Sequence, residues 1–344
     1  MLSEVTILIP TIGRPRLLKQ VLKGLTRQSF TDFRILLIMK LGDVESIKVA
    51  EYFNRFLDIK IIFQKISGLI GAYIEGIRNI NSDVIIFLDD DAVPDPDCVK
   101  EHVLTYEHPK IFGVSGDVIP AQICNDVLKP IEGSSEIANY YKEHNIIKYL
   151  GEKLWNSPLN GQENYLAYIT KAGYSNKNIY LNRNRIVNSL LCMAANMSVL
   201  SQVIKDFQMP SFLKQGINFE QILGWRLWKN NYNLVFNPRA KVYHILHEGA
   251  ISRSINQKSV LQATIEDELL FYYLLVEGED LSKMHRIVSF SYRYLLHIKK
   301  LNNNWKREIS ILKGMILGNI YGFKWLLSNK IKEAYKPIKN GHCK

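Results

Sequence analysis

The stretch VIIFLDDDAVPDP, residues 84–96, places three consecutive aspartates directly after five apolar residues. The apolar run is typical of a buried strand, and the proline-rich turn ends it. Three carboxylates at such a position repel one another and lose hydration, so both effects oppose the arrangement. A bound cation would remove both objections, and Asp89, Asp90 and Asp91 are therefore candidate site residues.

The first 120 residues alternate between short apolar runs and segments with helical spacing of apolar residues. Strands are predicted at EVTILIP, FRILLIM, IKIIFQ and DVIIFL, each followed by a helical pattern. Strands that alternate with helices predict a parallel sheet with right-handed crossovers. Because such sheets bind ligands outside the carboxyl ends of their strands, the aspartates lie where a ligand site is expected.

The remainder of the chain is read more coarsely. The segment 121–190 is polar and irregular and predicts loops and short elements. Residues 219–244 are typical of a helix, a turn and a strand, and from about Ser259 onward the pattern is helical and basic.

The three aspartates have two explanations. Because residues i and i+2 of an extended backbone face the same way, Asp89 and Asp91 could point into one cleft with Asp90 turned elsewhere. Two converging carboxylates suit Mg²⁺ or Mn²⁺, which usually bind together with a substrate's phosphates. The alternative is that they cap the next helix or form a turn, which suits one aspartate better than three.

Several protein classes are excluded or disfavoured. The chain has no GxxxxGK[ST], and PTIGRP rather than GxGxxG follows the first strand, so neither a P-loop NTPase nor a Rossmann dehydrogenase is expected. The four cysteines form no CxxC pair, which favours a reducing compartment. No signal-peptide pattern and no uncharged run of 18 apolar residues occurs, so neither secretion nor a spanning helix is expected.

The net charge of +11 comes from the C-terminal fifth of the chain. Residues 281–344 contain 14 Lys and Arg but only two acidic residues, whereas the other 280 residues are nearly neutral. Mixed with aromatic and aliphatic residues, this segment is suited to lie on an anionic membrane surface. A helical subdomain packed on the rest of the protein is an equal alternative, and no motif favours nucleic acid.

Five blocks in order resemble family 2 glycosyltransferases, which have the GT-A fold. They are VTILIPTIGRPRLLKQVLKGLTRQSFTDFRILLI (5–38), GLIGAYIEGI (68–77), DVIIFLDDDAVPDPDCV (83–99), AANMSVL (194–200) and FEQILGWRLWKNNYNLVFNPRAKVYH (219–244). The resemblance implies an α/β fold, with a GT-A-type Rossmann-like domain, a mostly parallel central sheet and a C-terminal α-helical region. It places the catalytic domain at 1–250, with a donor half (1–120) and an acceptor half (121–250), and leaves 251–344 as the basic helical region.

The resemblance also assigns site residues. Asp89 and Asp91 match the family's metal and sugar-nucleotide motif, so the implied cofactor is Mg²⁺ or Mn²⁺, which would neutralise the leaving diphosphate. The positions that it implies for substrate binding are Pro10, Thr11, Arg14, Gly68, Asp89, Asp90 and Asn196.

The acceptor half carries the implied base and a further metal ligand. Glu220 stands where the family has a catalytic aspartate, and it would take the proton from an acceptor hydroxyl. Read without the other blocks, Glu220 would be a solvated acid of a helix's first turn. His244 matches a histidine that ligates the metal in some members, and His247 is a rival three residues on.

Three departures from the family pattern concern the nucleotide and the base. Met39-Lys40 replaces an aspartate that reads the nucleobase, Tyr73 and Ile74 replace Arg-Asn, and Phe219 stands at the Glu of a Glu-Asp pair. The donor nucleotide is therefore not predicted.

The implied function is inverting, metal-dependent transfer of a sugar from a nucleotide-sugar donor. Its acceptor would be lipid-linked, glycan or protein, and the protein would be cytoplasmic or peripheral on the cytoplasmic face of the membrane. A nucleotidyltransferase of similar fold and a non-catalytic membrane or nucleic-acid binding protein are the alternatives, with no nucleic-acid partner expected.

Overall fold

The structure is a computed structural model that describes residues 4–124, 127–131, 157–178, 181–205, 207–247 and 256–328. The predicted domain boundary near 250 and the last 16 residues of the basic segment lie outside the described residues.

Residues 4–105 form the alternating strands and helices that the periodicity predicts. The strands are β1 (Val5–Thr11), β2 (Arg34–Met39), β3 (Ile59–Phe63), β4 (Val84–Leu88) and the short β5 (Ala92–Pro94). The helices are α1 (Pro15–Leu25), α2 (Val44–Phe53), α3 (Leu69–Arg78) and α4 (Cys98–Thr105). Pro15 begins α1, where its missing N–H is tolerated, and the Asp43 side chain caps α2.

Seven further strands follow in the described part of the chain, of which β8 and β9 form a separate two-stranded sheet and the others extend the main sheet. They are β6 (Ile111–Cys124), β7 (Val127–Pro130), β8 (Ala167–Ile169), β9 (Ser175–Lys177), β10 (Val187–Asn188), β11 (Asn196–Leu200) and β12 (Asn233–Ile245). Among the described residues the main sheet has the order β10-β12-β6-β11-β4-β1-β2-β3, with β5 paired to β12 and β7 to β6. The pairs β4-β1, β1-β2, β2-β3 and β6-β12 are parallel, whereas β11 is antiparallel to both of its neighbours.

The helices of the second half are α5 (Ser201–Ile204), α6 (Phe219–Lys229), α7 (Gln257–Val276), α8 (Lys283–Lys299) and α9 (Leu301–Leu327). Helix α9 packs closely on α7 through Gly314, Gly318 and Gly322, which recur every four residues. A Cβ at Gly318 would lie 2.6 Å from the Glu268 Cβ, and one at Gly322 would lie 2.0 Å from the Tyr272 ring. Only glycine allows the two helix axes to approach this closely.

The two faces of the sheet carry separate apolar cores. One core lies between the sheet and helices α1, α2 and α4. The other core contains Phe87 of β4, Tyr73 of α3, Trp225 of α6 and Tyr273 of α7. The C-terminal helix α7 is thus part of the same core as α6, the helix that carries the predicted base.

Arginines or backbone donors contact three consecutive acids of α7, Glu266, Asp267 and Glu268, of which Glu266 and Glu268 are fully buried. Glu268 is fully buried and ion-paired with Arg286, and it also accepts hydrogen bonds from the Tyr174 hydroxyl and Asn319. The Asp267 carboxylate accepts from Arg293 at 2.6 Å. These ion pairs hold α7 and α8 together.

No described helix is both long and apolar enough to cross a bilayer.

Candidate active site

The loop after β1 and the end of β4 meet because the two strands are parallel neighbours. The Thr11 hydroxyl donates to Asp90 Oδ2 at 2.6 Å, and the Arg14 guanidinium pairs with Asp90 Oδ1 at 2.8 Å. Asp90 is fully buried, so its carboxylate holds this loop in place instead of facing a cleft. Pro10 is the buried strand residue that precedes the loop.

Asp89, Asp91 and His244 lie together at the carboxyl end of β4. Each offers one ligand atom, and the three atoms lie within 4.8 Å of one another. His244 reaches the aspartates because β12 pairs antiparallel with β5, which places His244 opposite Ala92. A carboxylate–carboxylate–imidazole set suits a divalent cation.

His247, the rival histidine, contacts the same carboxylate. Its Nε2 lies 2.7 Å from Asp91 Oδ2 and 3.3 Å from the Arg14 Nη1, so it bridges the predicted metal site and the loop after β1. The sequence left the two histidines as rivals, whereas the structure places one on each oxygen of Asp91.

The site carboxylates differ in pKa. Burial and the neighbouring Asp91 charge raise the pKa of Asp89 to about 7. Burial raises the pKa of Asp90 to about 6, against the opposing charge of Arg14. Burial also acts to raise the pKa of Asp91, but His244, His247 and Arg14 outweigh it and lower that pKa to about 2.

The surroundings of Asp91 support a cation in this cluster. Asp91 Oδ1 is buried and makes no hydrogen bond of good geometry within the described residues, although His244 Nε2 lies 3.1 Å away. A cation would complete the coordination of this buried oxygen, and the imidazole nitrogen 3.1 Å away is a second possible ligand. Asp89, Asp91 and His244 are therefore the residues that could hold a metal.

Glu220 lies in the first turn of α6, whose preceding residue Asn218 has a left-handed backbone (φ 65°). Burial raises the pKa of Glu220 to about 7, against hydrogen bonds from the surrounding backbone and from Gln221. A carboxylate with a pKa near neutrality is suited to accept a proton during a reaction.

The loop that leads into α6 is held by two acids of α7 that sequence reasoning missed. The Glu266 carboxylate accepts hydrogen bonds from the backbone N–H groups of Lys214 and Gln215 at 2.8 Å and of Ile217 at 3.3 Å. Asp267 accepts from the Asn218 side chain at 3.2 Å. The run Glu-Asp-Glu at 266–268 was the only sequence signal, and it does not reveal which backbone it binds.

Gly68 and Asn196 lie in structural positions. Gly68 has φ 89° before α3, and a Cβ there would come 2.9 Å from the Lys214 carbonyl, so it packs on the same loop. The Asn196 side chain is fully buried, donates to the carbonyls of Asp117 and Ala240, and accepts from the His102 ring. The structure does not bring Asn196 into the carboxylate cluster.

Tyr73 and Phe219, which both depart from the family pattern, stack on each other although they are 146 positions apart in the chain. The rings of Tyr73 and Phe219 lie 4.8 Å apart with an interplanar angle of 27°. The charges of Asp89 and Glu220 both act on the Tyr73 hydroxyl, so the cluster and the predicted base share one electrostatic neighbourhood.

The sequence and the fold both match known glycosyltransferases. The model of the family described as "Glycosyl transferase family 2" matches residues 6–165. A protein of Methanococcus voltae named dolichyl N-acetyl-alpha-D-glucosaminyl phosphate 3-beta-D-2,3-diacetamido-2,3-dideoxy-beta-D-glucuronosyltransferase is 23% identical over 255 residues, which are 68% of this chain and 77% of that protein.

Solved structures share the architecture at low identity. The mannosyltransferase PcManGT from Pyrobaculum calidifontis, in complex with GDP-Man and Mn²⁺, has a TM-score of 0.51 at 9% identity and covers 97% of this chain and 81% of its own. S. aureus TarS 1-349 has a TM-score of 0.53 at 12% identity and covers 92% and 80%. At these identities the likeness shows the fold alone, and it confirms the predicted GT-A-type architecture.

Proposed function

We propose that this chain, which has the GT-A fold, is a family 2 glycosyltransferase that transfers a sugar from a nucleotide-sugar donor to a lipid-linked acceptor, with inversion at the anomeric carbon. The observations that carry this proposal are the Asp89–Asp91–His244 cluster and Glu220, whose pKa is about 7. One group of residues is suited to a diphosphate with its cation, and the other to an attacking hydroxyl.

The reaction follows from these two groups. Glu220 takes the proton of the acceptor hydroxyl while the hydroxyl oxygen bonds to the anomeric carbon of the donor sugar. The bond from that carbon to the diphosphate oxygen breaks, and the nucleoside diphosphate leaves with the electron pair. One displacement inverts the configuration. Arg14, which lies against Asp90 and Asp91, adds a positive charge beside the leaving group.

Asp89, Asp91 and His244 would hold a divalent cation. When bound, the cation supplies charge neutralisation for the leaving diphosphate. Mn²⁺ is the first ion to test, because PcManGT was solved with it.

A lipid-linked acceptor is favoured over a glycan or a protein. The name of the Methanococcus relative describes a dolichyl phosphate-linked acceptor. In this chain Lys177 of β9 adds a positive charge that acts on Glu220, which suits an acceptor that carries a phosphate.

Replacement of the base tests the reaction. In Glu220→Gln we expect donor binding to be retained and turnover to fall about 10²–10⁴-fold, because only proton transfer is lost. The wild type should gain rate with pH up to about 7, where Glu220 becomes deprotonated. The assay measures nucleoside diphosphate released from a nucleotide-sugar panel with Mn²⁺ and a polyprenyl-phosphate-linked sugar.

A matched control is Glu277→Gln. This substitution removes a carboxylate that pairs at 3.2 Å with Arg226 of α6, the helix that also carries Glu220. This variant should keep its turnover. Full turnover of Glu220→Gln would contradict the assignment of the base.

The outer face of α8 supports an anionic membrane surface as a second partner. Its solvent side is apolar, with Met284 and Ile287 each 66% exposed and Leu295 57% exposed. Its inner side carries Arg286 and Arg293, which form ion pairs with acids of α7.

Exposed lysines accompany the apolar stripe. The described basic residues that face solvent on α8, on α9 and between them are Lys283, Lys299, Lys300, Lys306, Lys313 and Lys324. Each lysine close to anionic lipid contributes about 1 kcal/mol. We place this face on the cytoplasmic leaflet, because anionic lipid is concentrated there.

Vesicle sedimentation tests the membrane face. We expect binding to vesicles that contain phosphatidylglycerol, weaker binding at high salt, and loss of binding in Ile287→Glu. Phe56→Glu is the control, because Phe56 is similarly exposed (64%) but lies outside these helices. Equal binding of Ile287→Glu and the wild type would contradict the proposal.

A further inference from the structure

Tyr73 is held rigidly by its ring. It lies on α3, is 1% exposed, stacks on Phe219 and makes an edge contact with Phe87 at 5.3 Å. These two aromatic neighbours fix the direction in which the side chain points.

The Tyr73 hydroxyl has no hydrogen-bond partner among the described residues, although it is buried. Other buried tyrosines of this chain are satisfied. The Tyr106 hydroxyl lies 2.7 Å from the Ser198 hydroxyl, and the Tyr174 hydroxyl donates to Glu268. A phenylalanine at position 73 would fill the same space without an unpaired hydroxyl, so packing does not explain the tyrosine.

The ring contacts of Tyr73 connect it to both halves of the site. Its two ring neighbours precede the functional acids in the chain. Phe87 is two residues before Asp89, on the same side of an extended backbone, and Phe219 is directly before Glu220. Asp89 and Glu220 are the two charges that act most strongly on the hydroxyl, and burial together with these charges keeps the pKa of Tyr73 well above its usual value. The hydroxyl is therefore a proton donor at any working pH.

The reaction defines what lies between these acids. Asp89 is on the side of the donor diphosphate, and Glu220 is on the side of the acceptor hydroxyl. The transferred sugar must lie between the two acids, because its anomeric carbon is bonded first to the donor diphosphate and then to the acceptor oxygen.

We propose that the Tyr73 hydroxyl donates a hydrogen bond to an oxygen of the donor's sugar and so helps to select and orient the group that is transferred. This inference rests on the proposed function. It assigns an uncharged hydrogen-bond donor to a position at which the family pattern has arginine, so the contact suits a neutral oxygen of the sugar.

Tyr73→Phe and Tyr106→Phe form a matched pair, because each removes one buried hydroxyl. In the ligand-free protein, Tyr106→Phe should lower the melting temperature, since Ser198 loses a partner. Tyr73→Phe should leave the melting temperature unchanged or raise it, since no bond in the protein is lost.

The second readout separates the sugar from the nucleotide. With Mn²⁺, the dissociation constants of UDP, UDP-GlcNAc, GDP and GDP-mannose are measured for the wild type and for both variants. Tyr73→Phe should bind the nucleoside diphosphates as the wild type does. It should bind the accepted nucleotide sugar about tenfold more weakly and lose kcat/KM by a similar factor. Tyr106→Phe should keep both constants.

Two results would overturn the inference. One is a loss of melting temperature in Tyr73→Phe equal to that in Tyr106→Phe, which would reveal a structural partner of the hydroxyl. The other is an unchanged affinity and kcat/KM for the nucleotide sugar in Tyr73→Phe. A wild type that binds no nucleotide sugar would instead refute the proposed function, and the sugar contact with it.

Discussion

Two runs of three consecutive acids occupy opposite environments in this molecule. Glu266, Asp267 and Glu268 lie within α7, where arginines, an asparagine, a tyrosine and backbone N–H groups meet their carboxylates. Asp89, Asp90 and Asp91 lie at the end of β4, where Thr11 and Arg14 contact Asp90 and two histidines contact Asp91.

The difference lies in what remains unsatisfied. The α7 run leaves no carboxylate oxygen buried without a hydrogen bond among the described residues, whereas Asp90 Oδ1 and Asp91 Oδ1 are buried without one and have only ion-pair contacts. The pKa values do not divide in this way. Burial raises the pKa of Glu266 in the α7 run and of Asp89 in the β4 run, whereas charged partners outweigh burial and lower the pKa of Asp267 and of Asp91. A run of acids is structural when the protein itself supplies hydrogen-bond donors or positive charges for every carboxylate. It is a candidate site when a ligand has to supply them.

The largest expected effect is on stability at the α7 run. Glu268→Gln leaves the buried Arg286 guanidinium without its counter-charge, so the free energy of unfolding should fall by about 3–5 kcal/mol. Chemical denaturation measures this change. Glu45→Gln, at a surface pair with Lys48, is the control and should change stability by less than about 0.5 kcal/mol. A small effect of Glu268→Gln would break the comparison.

The next effect is on activity at the β4 run. Asp89→Asn should reduce turnover at least about 10²-fold, because a charge that would ligate the cation is lost. The metal-free variant should be as stable as the wild type or more stable, since burial and repulsion already disfavour the Asp89 charge. Turnover and chemical denaturation at pH 8 measure the two quantities. A variant that is active but unstable would reverse the roles of the two runs.

The pH dependence of stability sharpens the comparison. The folded pKa of Asp89 is raised from 3.8 to about 7, so the folded state binds more protons than the unfolded state between these values. Asp89 should therefore lower the stability of the metal-free protein as pH rises towards 7, by about 1 kcal/mol per pH unit, in addition to the contributions of Asp90 and Glu220, whose pKa values are also raised. Denaturation at pH 5, 6 and 7 measures the slope. Asp89→Asn should reduce the slope by about this amount, and an equal slope in that variant would contradict the assignment.

The smallest effect concerns the contact of Glu266 in α7 with the loop that precedes Glu220. Glu266→Gln replaces one acceptor oxygen by an amide that cannot accept from the loop backbone, so α6 should shift slightly. We expect kcat to fall about fivefold with KM for the donor unchanged, because misplacement of a base affects the chemical step. A matching loss in KM, with kcat retained, would place Glu266 on the donor side instead.

The sequence predicted the regular part of the fold well. The helices and strands up to α4 follow from apolar periods that tertiary contacts did not override. Strand β6 was missed because Gly113, Ser115, Gly116 and Asp117 interrupt its apolar alternation, and it is held by neighbours on both sides rather than by local preference. The antiparallel insertion of β11 depends on long-range pairing that no local pattern records.

The candidate site was predicted unevenly for a physical reason. Residues carried by local motifs, such as Asp89 and Asp91, could be named because strand geometry sets their direction. His247, Glu266 and the Tyr73–Phe219 stack depend on contacts between segments that are far apart in the chain. The sequence left a membrane surface and a packed subdomain as equal alternatives for the basic segment; among its described residues, Arg286 and Arg293 pair with acids of α7, whereas the lysines are exposed.

Anomalous X-ray scattering from crystals soaked in Mn²⁺ and a nucleoside diphosphate tests the central claim most directly. We predict one strong manganese peak between Asp89, Asp91 and His244, and no peak at Glu266, Asp267 and Glu268. A manganese ion bound by the α7 run, or none at the end of β4, would contradict the account.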